Sequence, residues 1–199
     1  MIQAATPGLV LASQSAARAA VLRAAGLAFE QRPARIDEAA IKASMRDGSA
    51  DECALMLAGL KAARIRGTDG LVIGADQLLV CDGEWFDKPA DLYAARSQLL
   101  QLRGRSHELV TAVVGHRDGQ EIWRHAARPR LKMRAFSEAF LDAYLEAEGD
   151  AVLGSVGAYR LEGLGVHLFE RIEGDHSAIL GLPLLPLLGF LRQHGVLTS

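Results

Sequence analysis

Hydrophobic and polar positions along the chain alternate between two kinds of segment. Short runs such as Gly8–Ala12, LVI at 71–73 and LLVC at 78–81 are apolar on both alternating faces, which is typical of strands covered on both sides. Longer segments carry apolar residues at helical spacing. The pattern predicts strands at 8–12, 28–33, 71–81, 109–114, 121–133 and 166–170, and helices at 16–25, 49–66, 89–104, 137–148 and 183–194. Such alternation indicates an α/β fold with a mixed central sheet flanked by helices.

Local signals support several boundaries. Ser15 is a suitable N-cap for the first helix, and Ser49 with Glu52 forms a capping box. The Asp82-Gly83 pair predicts a tight hairpin, which would pair Cys81 with Glu84.

An unbroken ladder in that hairpin would place Lys88 opposite Gln77 and on the other face from Asp76. The two side chains could approach each other only if the strand bulges near Gly74 or the ladder ends before Lys88. The sequence leaves both explanations open.

Length and charge limit the function classes. The 199 residues, half of them hydrophobic, predict a single domain spanning 1–199. The formal net charge of −2 gives no basic surface for nucleic acid. Cys53 and Cys81 have no zinc-ligand spacing. We expect a cytoplasmic protein, because the sequence has no signal-peptide pattern and no uncharged run of the roughly 18 residues that would cross a membrane.

Asp76 is a carboxylate inside an apolar strand. An unpaired buried charge costs several kcal/mol, so Asp76 needs a compensating group. One explanation is a buried salt bridge. The other is a divalent cation shared with Glu38, which we place in the loop 36–38, because Mg²⁺ prefers oxygen ligands and takes one or two protein carboxylates.

Other polar residues fit an anionic ligand. Ser13, Ser15 and Arg18 lie where a strand enters a helix, a place that favours phosphate, although an N-cap serine and a solvated arginine give the same pattern. Only four of the 22 basic residues are lysines, and two of these, Lys61 and Lys88, are candidate point charges for phosphate. Lys61 also fits a surface helix residue with a buried stem. P-loop, G-x-S-x-G and H-E-x-x-H motifs are absent from the sequence.

An ordered set of motifs resembles the Maf family over nearly the whole chain. The motifs are LVLASQSAAR, IDE, LKAARI, IGADQ, DKP, SHELVTAV, GAYRLEGLG, FERIEGD and GLPLLPLL. The resemblance implies two lobes around a cleft, a homodimer, and metal-dependent hydrolysis of nucleoside triphosphates to monophosphate and pyrophosphate. The expected cofactor is Mg²⁺ or Mn²⁺, held by Glu38 and Asp76.

The resemblance also implies residue roles. Asp76 matches the proton acceptor, and Glu38, Lys61 and Lys88 complete the catalytic set. The remaining triphosphate-site residues are Ser13, Ser15 and Arg18, and the specificity positions are Ala17, Gln77 and Glu162. Gln77 and Glu162 are similar to the 7-methyl-GTP pyrophosphatase branch, whereas the dTTP/UTP branch has Thr and Gln at these two positions. Glu162 could accept hydrogen bonds from guanine N1–H and its amine.

The first motif departs from the family pattern. The usual Ser-Pro-x-Arg is Ser15-Ala16-Ala17-Arg18, and Ala17 replaces a large side chain. An alanine cannot stack on a base, an interaction that contributes about 1–3 kcal/mol. This departure keeps two alternatives open: a dTTP/UTP pyrophosphatase, and a catalytically weak nucleotide-binding regulator of cell division.

Overall fold

The computed structural model describes residues 3–198, which form a mixed sheet flanked by helices and confirm the predicted α/β class. The strands are β1 Leu9–Leu11, β2 Glu30–Gln31, β3 Leu71–Cys81, β4 Glu84–Phe86, β5 Ser106–Arg117, β6 Gln120–Ala127, β7 Arg130–Met133 and β8 Phe169–Glu173. The α-helices are α1 Ala16–Ala24, α2 Glu38–Ser44, α3 Ala50–Arg64, α4 Leu92–Leu102, α5 Glu138–Glu148, α6 His176–Ile179 and α7 Leu184–Gln193. Short 3₁₀ helices span Gly149–Gly154, Val156–Ala158 and Leu164–Leu168.

Strand pairing makes the sheet mixed. Neighbouring strands follow the order β2-β1-β3-β5-β7-β8, with β4 beside β3 and β6 beside β5. The strand β1 runs parallel to β2 and β3. In contrast, β5 pairs antiparallel with β6 and β7, and β7 pairs antiparallel with β8.

One compact unit contains the chain's first strand, covered on both faces. Leu9 and Leu11 belong to a core cluster with residues of α1 and α7. Val10, on the opposite face, packs with Ala62 of α3. Burial on both faces explains the continuous apolar run of β1. The described segments of this unit are 3–77, 111–127 and 175–198.

The other compact unit consists of residues 78–110 and 128–174. Within it, α4 packs against α5 and the first two 3₁₀ helices. Leu99, Leu102 and Leu141 are completely buried. This unit therefore has apolar packing of its own.

The local boundary signals are confirmed. Ser15 caps α1, and Ser49 forms the capping box of α3. The Asp82-Gly83 turn pairs Cys81 with Glu84, and the ladder ends at Phe86. Of the two explanations for the position of Lys88, the structure therefore supports an early end of the ladder.

Several boundaries differ from the prediction. Glu38 is the first residue of α2 rather than part of a loop, because Asp37 acts as N-cap for a short helix. This helix has no buried residue, so the sequence shows no apolar period that would predict it. The predicted strand 121–133 is interrupted before β7, where Pro129 has no N–H for a ladder. β8 lies three residues later than expected because residues 164–168 form a 3₁₀ turn.

Two further differences concern short elements. The second strand shrinks from 28–33 to Glu30–Gln31, and α6 lies in a region for which the pattern predicted no helix. Four residues of α6 are too few for helical periodicity to appear. Across residues 3–198, no helix has both the length and the apolar character of a membrane span.

Candidate active site

A buried lysine joins the two predicted metal-binding carboxylates. Lys61 Nζ lies 2.5 Å from Asp76 Oδ1 and 2.7 Å from Glu38 Oε1. The side chains of Lys61 and Asp76 are 8% and 5% exposed, whereas Glu38 is 42% exposed. The salt-bridge explanation for Asp76 is thus realised, and Lys61 is not a surface residue with its head group in water.

A glycine explains how helix and strand come close enough for this contact. A Cβ added to Gly74 would lie 2.0 Å from the carbonyl oxygen of Ala58 and 2.9 Å from the backbone nitrogen of Ala62. Ala58, Lys61 and Ala62 share one face of α3, because they are three and four residues apart. Gly74 therefore lets β3 approach this face, and Lys61 reaches Asp76 two residues further along the strand.

The second carboxylate oxygen of Asp76 matters most for the chemistry of this site. Asp76 Oδ2 is buried and makes no hydrogen bond among residues 3–198. A buried carboxylate oxygen without a partner is costly, so its position favours a ligand, a water or a cation not supplied by the protein itself.

The carboxylate oxygens of this site fit a divalent cation for which the protein supplies only some of the ligands. Asp76 Oδ2 and the half-exposed Glu38 offer hard oxygen ligands, and both carboxylates contact Lys61. No group of three or more His, Cys, Asp or Glu side chains suited to a metal occurs in the described part of the chain. The remaining ligands would have to be waters and substrate oxygens, which is the usual arrangement for Mg²⁺ with phosphates.

The junction of β1 and α1 forms a compact hydrogen-bonded motif. Ser15 Oγ accepts from the backbone N–H of Arg18 at 3.3 Å, so the N-cap explanation holds for Ser15. Ser13, which is buried, accepts from Ser15 N and from Arg18 Nη1, both at 3.2 Å. Arg18 Nε also donates to the carbonyl oxygen of Gly181 at 2.8 Å. Arg18 is consequently held at two points of its guanidinium.

Electrostatics connect Arg18 with the acidic pair. Burial lowers the pKa of the Arg18 guanidinium, while the charges of Asp76 and Glu38 act in the opposite direction. Arginine still carries its charge at neutral pH because its ordinary pKa is so high. A second cation thus lies within electrostatic range of both carboxylates.

Gln77 anchors a segment that the sequence pattern did not single out. Its Nε2 lies 2.8 Å from Thr111 Oγ1 and 3.0 and 3.1 Å from the carbonyl oxygens of Ala178 and Ile179, so its two N–H groups are shared among three acceptors. Thr111, fully buried, donates to the same Ala178 carbonyl at 2.9 Å. These bonds stabilise the end of α6, which precedes the Arg18 contact at Gly181. The GLP motif was the only sequence signal in this region.

The remaining predicted residues have simpler surroundings. Ala17 is half-buried in the first turn of α1. Lys88 is exposed between β4 and α4, and Glu162 is exposed between the last two 3₁₀ helices, where it accepts a 3.4 Å hydrogen bond from Arg160 Nε. The structure therefore brings Glu38, Lys61 and Asp76 into direct contact, whereas Lys88 and Glu162 belong to the other compact unit.

Comparison with known proteins identifies the family of this chain. A family model described as Maf-like protein matches residues 8–194. A protein of Granulibacter bethesdensis is 58% identical over 194 residues, covering 96% of this chain and 98% of its own. A Paramagnetospirillum magneticum protein is 54% identical over 192 residues (94% of this chain, 99% of its own), and a Rhodospirillum rubrum protein is 50% identical over 202 residues (100% of both). All three are named nucleoside triphosphate pyrophosphatase. The chain therefore belongs to the Maf family.

Proposed function

We propose that this Maf-family protein is a metal-dependent nucleoside triphosphate pyrophosphatase that cleaves the bond between the α- and β-phosphates. The observation that carries the proposal is the buried Lys61–Asp76 pair, in which Asp76 keeps one oxygen without a hydrogen bond. The names of the relatives support the same reaction class.

The proposed reaction uses Asp76 as proton acceptor. A water oxygen attacks the α-phosphorus, and the bond from this phosphorus to the bridging oxygen breaks. The electron pair leaves with pyrophosphate, and the water proton moves to the Asp76 carboxylate. Lys61 holds Oδ1 at 2.5 Å, so Oδ2, which has no hydrogen-bond partner among residues 3–198, is the oxygen proposed to take the proton.

Positive side chains would bind the triphosphate. Arg18 uses Nε and Nη1 within the protein, and its forked guanidinium has further N–H groups for phosphate oxygens. Ser13 orients this fork by accepting from Nη1, and Ser15 caps the start of α1 by accepting from the backbone N–H of Arg18. Lys88 is proposed as an additional point charge for the leaving pyrophosphate.

The proposed cofactor is Mg²⁺ or Mn²⁺, with Glu38 and Asp76 as protein ligands. Such a cation, when bound, would polarise phosphate oxygens and offset negative charge. The half-exposed Glu38 and the unpaired Asp76 oxygen support this choice. Asp76 Oδ2 has two lone pairs, so one would bind the cation and the other would accept the proton of the attacking water. Pyrophosphate release should consequently require added divalent metal and stop with EDTA.

Asp76→Asn tests the catalytic assignment. The amide keeps the shape of the side chain but accepts a proton poorly, so pyrophosphate release should be lost while much of the nucleotide affinity remains. Asp69→Asn, at an exposed position, is the matched control and should leave turnover unchanged. Normal turnover by Asp76→Asn would remove Asp76 from this role.

For the base, we propose a modified guanine nucleotide such as 7-methyl-GTP. Exposed Glu162 offers an acceptor for the two donors on the guanine edge, and the positive charge from N7 methylation favours an anion nearby. Turnover of 7-methyl-GTP, GTP, UTP and dTTP should be compared side by side. A clear pyrimidine preference would favour the dTTP/UTP alternative.

Ala16 and Ala17 favour the second candidate function, a nucleotide-binding regulator of cell division with weak catalysis, because they remove the usual proline and large side chain. Nucleotide binding without metal-stimulated pyrophosphate release would favour the regulator. Release that depends on metal would favour the enzyme. A cytoplasmic homodimer stays a prediction, and sedimentation of the purified protein can test the dimer.

A further inference from the structure

The last turn of α5 holds the loop that carries Glu162. Glu148, at the end of this helix, is only 7% exposed in its side chain. Its Oε1 accepts a 2.6 Å hydrogen bond from the backbone N–H of Leu164, and its Oε2 accepts a 3.3 Å bond from Arg160 Nη1. One buried carboxylate therefore contacts the loop on both sides of Glu162.

Two glycines make room for this contact. A Cβ on Gly163 would lie 2.5 Å from Glu148 Oε1, and a Cβ on Gly165 would lie 2.4 Å from the carbonyl oxygen of Arg160. Either side chain would displace the carboxylate or open the loop. The glycines of LEGLG are thus explained by close packing around Glu148 and Arg160.

The start of the loop is fixed as well. Ala158 has φ +58°, a left-handed conformation that a non-glycine residue adopts only when its surroundings impose it. Tyr144, also on α5, donates to the Ala158 carbonyl at 3.2 Å, and Tyr159 hydrogen-bonds His107 Nε2 at 2.9 Å. The loop leaves this anchored segment in a defined direction.

Arg160 is shared between two acids. It contacts buried Glu148 through Nη1 at 3.3 Å and exposed Glu162 through Nε at 3.4 Å. If Glu148 lost its charge, Glu162 would be the remaining anion for this guanidinium. Replacement of this single 3.4 Å contact by a two-nitrogen ion pair with Arg160 would then reduce the ability of Glu162 to accept hydrogen bonds from a ligand.

We propose that Glu148 is a positioning residue for base selectivity. It holds the 160–165 loop and takes one nitrogen of the Arg160 guanidinium, so that Arg160 keeps only its single 3.4 Å contact with Glu162. The Glu162 carboxylate then stays available to a base edge with adjacent donors, as in guanine. This inference rests on the proposed function, in which Glu162 reads the base. Glu148 itself does not contact substrate.

Glu148→Gln is the main test, because the amide oxygen can still accept from Leu164 N while the charge that attracts Arg160 is gone. We expect the ratio of kcat/KM for 7-methyl-GTP over UTP to fall about tenfold, the size of one charge-assisted hydrogen bond. The loss should appear in KM for the guanine nucleotide, with kcat changed little. Glu146→Gln, exposed on the same helix, is the control and should keep the ratio.

Two further variants separate positioning from folding. Glu162→Gln alone should lower the same ratio, and adding Glu148→Gln to it should cause no further loss, because both changes act through one carboxylate. Arg160→Gln should keep the guanine preference, because no guanidinium then competes for Glu162. This last variant leaves the Glu148–Leu164 bond in place, so it tests the inference even if Glu148→Gln unfolds.

The outcomes distinguish the two proposals. Suppose first that Glu162→Gln alters selectivity. Three results would then overturn the positioning role alone: an unchanged ratio in Glu148→Gln, equal losses for 7-methyl-GTP and UTP in that variant, or loss of the guanine preference in Arg160→Gln. If Glu162→Gln has no effect, the base assignment fails and the role of Glu148 fails with it. If the unsubstituted protein releases pyrophosphate from none of the triphosphates, both proposals are refuted.

Discussion

Replacing Lys61 by methionine removes the cation that compensates Asp76 and keeps a side chain of similar length. Lys61 and Asp76 are both less than a tenth exposed and lie 2.5 Å apart, so the energetics are those of a buried pair. Removing one partner of a buried pair costs about 3–5 kcal/mol, because the other charge stays in a poorly solvated place. The Glu38 contact adds about 0–1 kcal/mol, since Glu38 is 42% exposed.

Urea unfolding followed by far-UV circular dichroism measures this loss. In thermal unfolding, a loss of about 3–5 kcal/mol for a chain of 199 residues corresponds to a melting temperature lower by roughly 6–20 °C. Arg64→Met, exposed on the same helix, is the control and should change stability by less than about 0.5 kcal/mol.

The double variant Lys61→Met/Asp76→Asn completes the test. It no longer buries an uncompensated charge, so it should recover much of the lost stability while staying inactive. A loss below about 1 kcal/mol in the single variant would refute the buried-pair reasoning. A double variant no more stable than Lys61→Met would refute it too.

Three further changes test local parts of the structure. Gly74→Ala should lower the free energy of unfolding by about 1–3 kcal/mol and reduce pyrophosphate release, because its Cβ would overlap Ala58. Gly8→Ala is the control, since nothing lies within 4 Å of its Cβ. Equal effects of the two substitutions would contradict the close approach of β3 to α3. Ser15→Ala should lower the free energy of thermal unfolding by about 1 kcal/mol because the N-cap is lost, whereas Ser15→Asn should lower it less. Equal losses in the two variants would argue against a capping role for Ser15. Burial lowers the pKa of His107 from 6.5 to about 4. As the pH falls through this range, the unfolded chain takes up a proton before the folded chain does. The free energy of unfolding should therefore drop by on the order of 3 kcal/mol between these two pH values. His107→Gln should flatten this pH dependence in urea unfolding, and an unchanged slope would show that His107 is not its source.

Elements set by nearby residues followed the sequence pattern well. Asp82 and Gly83 have φ values of 50° and 84°, as a two-residue hairpin turn requires, and they fixed the register of β3 with β4. Ser49 and Glu52 likewise began α3 at the predicted place. These signals act over two to four residues, so no distant part of the chain has to be known.

Short elements and long-range contacts were harder to predict. The four-residue α6 and the shifted β8 lack a full period of apolar residues, and their limits depend on what packs against them. The proposed role of Glu148 had no sequence signal at all, since an acid at the end of a helix usually lies in solvent. Its burial and its two contacts with the loop distinguish it from the exposed Glu146.

By itself, the sequence determined the α/β class, most caps and turns, and the set of charged residues that point to phosphate chemistry, because these depend on local periodicity and on residue type. The tertiary structure alone decided that Lys61 pairs with both Asp76 and Glu38, and that Asp76 keeps one buried oxygen without a hydrogen bond. Lys61 and Asp76 are fifteen residues apart and meet only because Gly74 lets the strand touch the helix. A compensated charge and an exposed charge look the same in a sequence, since their difference lies in the distance to a partner and in the exclusion of water.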